Sequence, residues 1–308
     1  MAEPRASPVF AILLVIIVLV AGAGVAAFLY YENHKSPGSS GLKVQVGDNV
    51  TVNYIGLFGK GPQQGRVFDT SEYSVALNNA SWPKSLQYAS RGGRPSDYSP
   101  LGVAVGGNVP SSGYTIGNVT FGSVVPGFWQ GLVGLPGNQT HFITIPPSLG
   151  YSFVNSSCFV THPLTTTYPV VVTVTPADFQ ALFANVSATA GTVYTDPVYG
   201  WPDMVLSVNA SAVTYENLPT LGMTTNPSGW PVLVSNISAT TVTLESQLTP
   251  SQAGMVAGHA PGSGFCGSTK FIISQVNLAN GTYVEDFNPE VDGQTLIFVV
   301  TVIDILRP

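Results

Sequence analysis

The chain has 308 residues, more than one compact domain ordinarily needs, and its 44% hydrophobic content is ample for a core. Only 8% of the residues are charged, against about 25% in ordinary soluble domains, so the surface must be built from Ser, Thr, Asn, Gln, Gly and Pro. A net charge of −6, with ten Lys plus Arg and no basic run, excludes a nucleic-acid binder that tracks phosphates. So sparse a charge also suits a strongly acidic or saline environment.

Residues 1–8 form a short tail. Val9–Tyr31 is nearly all apolar and carries no charge; roughly 20 such residues cross a bilayer core of about 30 Å. Phe28, Tyr30 and Tyr31 fall where an aromatic belt sits at the outer interface. The segment predicts a single-pass membrane anchor. A cleaved signal peptide is the alternative, with Arg5, the apolar run Val9–Val20 and Ala21-Gly22-Ala23 as its cleavage site. Residues 32–42, which contain Ser36-Pro37-Gly38-Ser39-Ser40-Gly41, read as a flexible linker.

Beyond the linker, Asn-x-Ser/Thr occurs at Asn49, Asn79, Asn118, Asn138, Asn155, Asn185, Asn209, Asn236 and Asn280. Chance predicts roughly three such sites, so the excess points to a glycosylated extracellular part held at the cell membrane. Cys158 and Cys266 are the only cysteines, and in an oxidising compartment an isolated pair reads as a disulfide. Closing so long a loop is worth roughly 4–5 kcal/mol in the chain-entropy picture. A catalytic cysteine working with His162 or His259 is the competing reading.

Val50-Thr51-Val52-Asn53-Tyr54 alternates with period two and predicts a half-buried strand, as does His141–Ile145. Val125–Leu132 is too rich in Gly for a long helix but allows a short one, with Pro126 at its start and Phe128 and Leu132 one turn apart. Thr295–Leu306 is almost continuously apolar and β-branched, which predicts a central strand.

These segments carry a resemblance. Val46–Gly56 followed by Val67-Phe68-Asp69-Thr70-Ser71 resembles the opening of FKBP-type peptidyl-prolyl isomerases. Val124-Val125-Pro126-Gly127-Phe128 with Gly131-Leu132 is similar to the family's short helix, and Ile145-Pro146-Pro147-Ser148-Leu149-Gly150-Tyr151 to its Ile-Pro-Pro segment. Gly293–Val300 is similar to its closing strand, and Asn288–Phe298 matches in spacing the SlyD-like members that carry a chaperone domain in the flap. The resemblance implies an α+β class: an antiparallel sheet wrapped on a short helix, built from residues 43–152 and 289–308, with a β-rich domain of residues 153–288 inserted in the flap. It further implies that Asp69, Tyr151 and Phe128 carry catalysis and that Tyr54, Phe68, Val124, Val125 and Phe298 bind substrate. Gly150 and Ser152 depart from the family's pattern, and Tyr114 is the nearest match to an aromatic that the family places before the helix.

The implied chemistry needs no nucleophile, metal or cofactor. Its partners are unfolded or proline-containing polypeptides, and the expected activity is that of a membrane-anchored isomerase and folding chaperone for extracytoplasmic proteins. A non-enzymatic chaperone, or a surface-binding protein built on an inactive scaffold, is the alternative.

Two segments interrupt the module. Glu72–Gly113, rich in Gly, Ser, Pro and Tyr, reads as a long surface excursion. The larger one, Phe153–Asn288, opens with a predicted strand Tyr168–Val174 and a short helix Ala177–Phe183 with Thr175 as N-cap. Within it Gly200-Trp201-Pro202 recurs as Gly229-Trp230-Pro231, and Val213-Thr214-Tyr215-Glu216 as Val242-Thr243-Leu244-Glu245, both at an offset of 29 residues. Each copy predicts a strand pair, with the tryptophans in the core.

Overall fold

The computed structural model describes residues 41–107, 109, 112–259, 265–266, 268 and 270–308. The anchor expected at Val9–Tyr31, with the tail and most of the linker, lies outside them. Among the described residues no helix is long and apolar enough to cross a membrane.

The first strands are β1 (Asn49–Phe58), β2 (Val67–Thr70), β3 (Leu101–Ala104), β4 (Tyr114–Ile116), β5 (Val119–Gly122) and β6 (Thr140–Ile145). Twelve more, β7 to β18, lie in the second unit described below, and β19 (Leu296–Leu306) closes the chain. The helices are α1 (Tyr73–Leu77), α2 (Pro126–Leu132) and α3 (Pro176–Leu182). The α+β class is overturned. Strand makes up 41% and helix 12% of the structure, in four sheets and three helices. The physical reason is that Gly and Pro interrupt the helical windows, so among the described residues no α-helix exceeds seven residues.

The chain divides into two compact units, one of Asn155–Asn288 and one holding the described residues on either side of it. In the flanking unit a sheet runs β4-β5-β3-β1-β19-β6, with β2 paired to β1 off that path. β1 and β19 form its centre, antiparallel from Asn49 opposite Leu306 to Phe58 opposite Leu296, with one bulge after Thr51. Both are apolar on two faces because both faces are covered: Val50, Val52 and Val300 pack with α2, while Ile55, Val67, Val75 and Val299 form a smaller cluster behind. Glu72–Gly113 is more than a surface excursion. Its β3 pairs with β1 and, in parallel, with β5, and Val103 is fully buried. Gly102 permits this approach, since a Cβ there would stand 2.3 Å from the Thr120 carbonyl oxygen.

The Asn155–Asn288 unit is a threefold repeat, of which the sequence displays two copies. Three short strands follow one another, β7 (Phe159–Pro163), β8 (Thr165–Pro169) and β9 (Val171–Val174); Val170 breaks the single strand expected over Tyr168–Val174. Helix α3 follows, capped by the Thr175 hydroxyl, which accepts from Asp178 N at 3.2 Å. Three three-stranded segments then complete three sheets. β10 (Val193–Thr195), β11 (Pro202–Val208) and β12 (Val213–Asn217) take β9. β13 (Thr224–Thr225), β14 (Val232–Ile237) and β15 (Thr241–Ser246) take β8. β16 (Ala257–His259), β17 (Lys270–Asn277) and β18 (Thr282–Asp286) take β7.

The same bulge recurs at Val205/Ser207, Val234/Asn236 and Ile273/Gln275. Cys158, Leu164 and Val170, six residues apart, each accept the backbone N–H that follows a repeat, from Phe287, Ser246 and Asn217. Gly191, Gly222 and Gly254 start the copies at positive φ, each donating to the strand residue at the bulge. Trp201 and Trp230 are buried, their indole N–H groups bonded to Asn217 and Ser246. Cys158 and Cys266 are disulfide-bonded within this unit.

Candidate functional site

The site begins with glycines. Gly131 and Gly127 face β6 from α2; a Cβ on them would lie 2.3 Å from Ile143 Cγ2 and 2.5 Å from Ile145 Cγ2. Only without those carbons does the helix lie flat enough to set Phe128 into the core. Gly56 does the same on β1, where a Cβ would lie 2.5 Å from Phe68 Cζ, so the Phe68 ring rests against the strand itself.

The outcome is a ring cluster drawn from four distant segments. Phe298 on β19 is its hub, with centroids 4.8 Å from Phe128, 5.5 Å from Phe68 and 5.9 Å from Tyr54, the first two edge-on. Tyr54 meets Phe128 at 6.2 Å, also edge-on. Phe128, Phe298 and Tyr54 are buried, whereas Phe68, Val124 and Val125 are half-buried against the same core and form its edge.

Asp69 turns this apolar cluster into an electrostatic one. The Tyr54 hydroxyl donates to Asp69 Oδ2. Burial, then the Asp69 charge, drives the Tyr54 hydroxyl far above its ordinary range, so it remains a donor. Tyr151 is 41% exposed. Its hydroxyl is pushed up by burial and then by Asp69 and Asp292, which places it within electrostatic reach of the same carboxylate.

The sequence reading missed Arg91. Its Nη2 lies 2.9 Å from Asp69 Oδ2 and also donates to the Tyr54 hydroxyl, with the guanidinium 5.7 Å from the Tyr54 ring centre. The loop that delivers it is tied to Tyr98, whose hydroxyl accepts from Arg91 N at 3.2 Å and lies 2.9 Å from Ser90 Oγ. Tyr98 packs in turn on Tyr73, at 5.6 Å. The signal for this was faint: Arg91 and Arg94 flank two glycines in a stretch without periodicity.

Tyr114 is not brought to the site. It packs on Phe121 and its hydroxyl donates to Asn49, at the far end of β1 from Tyr54. Asn49 is itself buried, and its side chain accepts that bond. Asn79, Asn118, Asn185, Asn209, Asn236 and Asn280 are exposed, and Asn138 and Asn155 half-buried. The reading of a catalytic cysteine is overturned because both thiols are consumed in the disulfide. His162 pairs instead with Glu285, at 3.1 Å.

No protein family matches the chain in a scan of family profiles, and a search of curated proteins finds no relative.

Proposed function

We propose that the chain is a peptidyl-prolyl cis–trans isomerase whose site is the ring cluster beneath Asp69. The observation that carries this reading is the convergence of Tyr54, Phe68 and Phe128 on Phe298, with one partly exposed carboxylate bonded to the Tyr54 hydroxyl. No nucleophile or metal is required by such a site. Rotation about an X–Pro bond is opposed by about 18–20 kcal/mol of barrier because the planar amide is resonance-stabilised. That resonance is lost at the twisted transition state, and an apolar aromatic surface favours the twisted form over the more polar planar amide.

In this reading Phe68, Phe128 and Phe298 hold the pyrrolidine ring. The Val125 backbone N–H and the Tyr151 hydroxyl take substrate carbonyls, and Asp69 faces the rotating one. Arg91 and Tyr54 position Asp69. The Asn155–Asn288 unit retains unfolded clients for the reaction, and a membrane anchor at Val9–Tyr31 with glycans on the exposed sequons sets the work outside the cell.

The test is catalysis of cis–trans relaxation in a short proline peptide by the full chain. Acceleration that disappears in Asp69→Ala supports the proposal. A wild-type protein that leaves the relaxation rate unchanged overturns it.

A further inference from the structure

The threefold repeat supplies its own controls. Counting from the shared bulge, Val232 on β14 and Phe271 on β17 hold one core-facing position, and both are buried. In the first copy the same position on β11 is Asp203, with 0% of its surface exposed. The fold does not need a carboxylate there, because two of three copies do without it. A buried carboxylate without partners is also expensive. No protein donor completes a hydrogen bond to either Asp203 oxygen. The Trp201 indole N–H, close enough to favour the ionised form, is committed to Asn217 Oδ1 at 3.3 Å.

Beside Asp203 stands another carboxylate, Asp196, whose backbone N donates to Trp201 O at 2.8 Å where the β10–β11 pairing ends and whose charge acts on Asp203. Asp196 is itself buried in the turn after β10, with Oδ1 accepting from Val198 N at 2.7 Å and Tyr199 N at 2.6 Å. Two carboxylates can share such a site only with a cation or a proton between them. A hard cation takes six to eight oxygens. The neighbours here are the rings of Trp201 and Tyr215, with Val205, and no cluster of three acidic, His or Cys groups occurs among the described residues.

We propose that Asp203 folds in its protonated form and donates that proton to Asp196, so that a carboxyl–carboxylate hydrogen bond locks the first repeat in acid and opens above neutrality. The groups facing Asp203 agree. Asp196 comes from the turn, where Tyr199 N bonds to it, Tyr194 lies opposite on β10, and Asn217 and Tyr215 come from β12. On the helix side, Phe179 and Phe183 complete the cluster that holds Val205 and Tyr215. No Lys, Arg or His among the described residues acts on Asp203. Burial first, then Asp196, pushes the Asp203 carboxyl up to about 7.

Because that value is raised above the ordinary 3.8, the native unit holds one more proton than the unfolded chain between about pH 4 and 7. The contribution is complete below that window, declines as pH rises through it, and is gone above it, by up to about tenfold in the folding equilibrium per pH unit. This gives the unit a preference for acid surroundings, in keeping with so sparsely charged a surface.

The experiment is a titration of the Asp203 carboxyl carbon by NMR in the full chain, assigned by loss of its resonance in Asp203→Asn. Denaturant midpoints of both proteins, followed by tryptophan fluorescence at pH 4 to 8, accompany it. We expect a titration midpoint near 7 and a wild-type midpoint that falls with pH across the window. Asp203→Asn, whose amide can still donate to Asp196, should lose Asp203's share of that slope, leaving the part due to Glu72 and Glu285, and be the more stable protein at pH 8. A wild-type carboxyl that titrates near 4, its resonance assigned by through-bond correlation to the Asp203 backbone if the variant does not fold, overturns the proposal. So does a variant that keeps the whole slope, or stabilisation of the wild type alone by micromolar calcium.

Discussion

Arg91 and Asp69 form an ion pair with Nη2 2.9 Å from Oδ2, each side chain about a third exposed, so the carboxylate bonded to Tyr54 of the ring cluster is held on one side and open on another. A pair this accessible contributes only about 0–1 kcal/mol to folding. Its consequence is geometric: Arg91 and Tyr54 together fix where the Asp69 oxygens point.

The first prediction follows. Asp69→Ala should lower kcat/KM on a proline peptide by about tenfold or more, corresponding to about 1.4 kcal/mol of transition-state stabilisation, with little change in thermal midpoint. Arg91→Leu should do the same through misplacement of Asp69, and Arg91→Lys should recover only part, because an ammonium cannot reproduce the guanidinium's forked contacts. Wild-type turnover in both Asp69→Ala and Arg91→Leu would remove Asp69 from the assigned site.

The second concerns the seating of α2. Gly131→Ala places a methyl 2.3 Å from Ile143 Cγ2, a methyl of a buried branched side chain that has little freedom to retreat. Overpacking of this kind costs about 1–3 kcal/mol. The helix must lift, and Phe128 with it. Denaturant titration should register the loss, and peptide turnover should fall further than the stability change alone accounts for. An unaltered midpoint with unaltered turnover would show that Phe128 does not depend on this contact.

Parts of this molecule were legible beforehand, for identifiable reasons. β1, β6, α2 and β19 carry period-two or short helical patterns, and their expected positions differ from the observed ends by a few residues. Tyr54, Phe68, Phe128 and Phe298 lie on or beside these elements, so regular backbone sets their directions. Arg91 was invisible because its position is set by contacts to Tyr98 and by the tight turn at Gly92, where a Cβ would collide with Asp97. The third repeat was hidden by its side chains. It has no Gly-Trp-Pro, and Phe271 and Phe287 fill the core beside Trp230. Backbone features record the symmetry instead, in Gly191, Gly222 and Gly254 and in the six-residue spacing of Cys158, Leu164 and Val170.

That symmetry yields a third prediction. Opposite the bulge, Tyr215 and Leu244 occupy the core-facing position that Glu285 holds in the last copy. Burial pushes the Glu285 carboxyl up, opposed by His162 at 3.1 Å. Removing a desolvated carboxylate in favour of an apolar residue of similar volume is neutral or stabilising when its partner is free to face water, as His162, with its side chain 39% exposed, is. Glu285→Leu, which copies Leu244, should therefore leave stability unchanged or raise it by about 1–2 kcal/mol. His162→Ala, which leaves the carboxyl without its partner, should cost about 1–3 kcal/mol. Urea titrations of the two variants decide the matter, and the reverse order of stabilities would refute the equivalence of the copies.

The last prediction rests on how the Asn155–Asn288 unit closes. Asn155 N donates to Asn288 Oδ1 at 2.8 Å, and Asn288 Nδ2 returns a bond to Asn155 O at 3.2 Å, so the unit's first and last residues are clasped together. On the flanking unit's own side, Gly293 N donates to Tyr151 O at 2.7 Å, which brings its two chain ends close as well. The clusters around Phe298 and around Ile55 contain no residue from between the clasped ends. Loop-closure entropy rises only slowly with length, so exchanging this insertion for a short Gly-Ser loop changes the closure cost by no more than a few kcal/mol. Deleting Phe153–Asn288 should leave a folded protein with a cooperative thermal transition. Turnover of short proline peptides should stay within about threefold of the full chain, which is under 1 kcal/mol, because Tyr54, Phe68, Asp69, Arg91, Phe128, Tyr151 and Phe298 all remain. Catalysed refolding of a whole proline-limited protein should drop by tenfold or more, because a weakly bound unfolded chain is then no longer retained near the site. A truncated chain that fails to fold would make the insertion part of the flanking unit's core, and undiminished refolding catalysis would strip the Asn155–Asn288 unit of its role in holding clients.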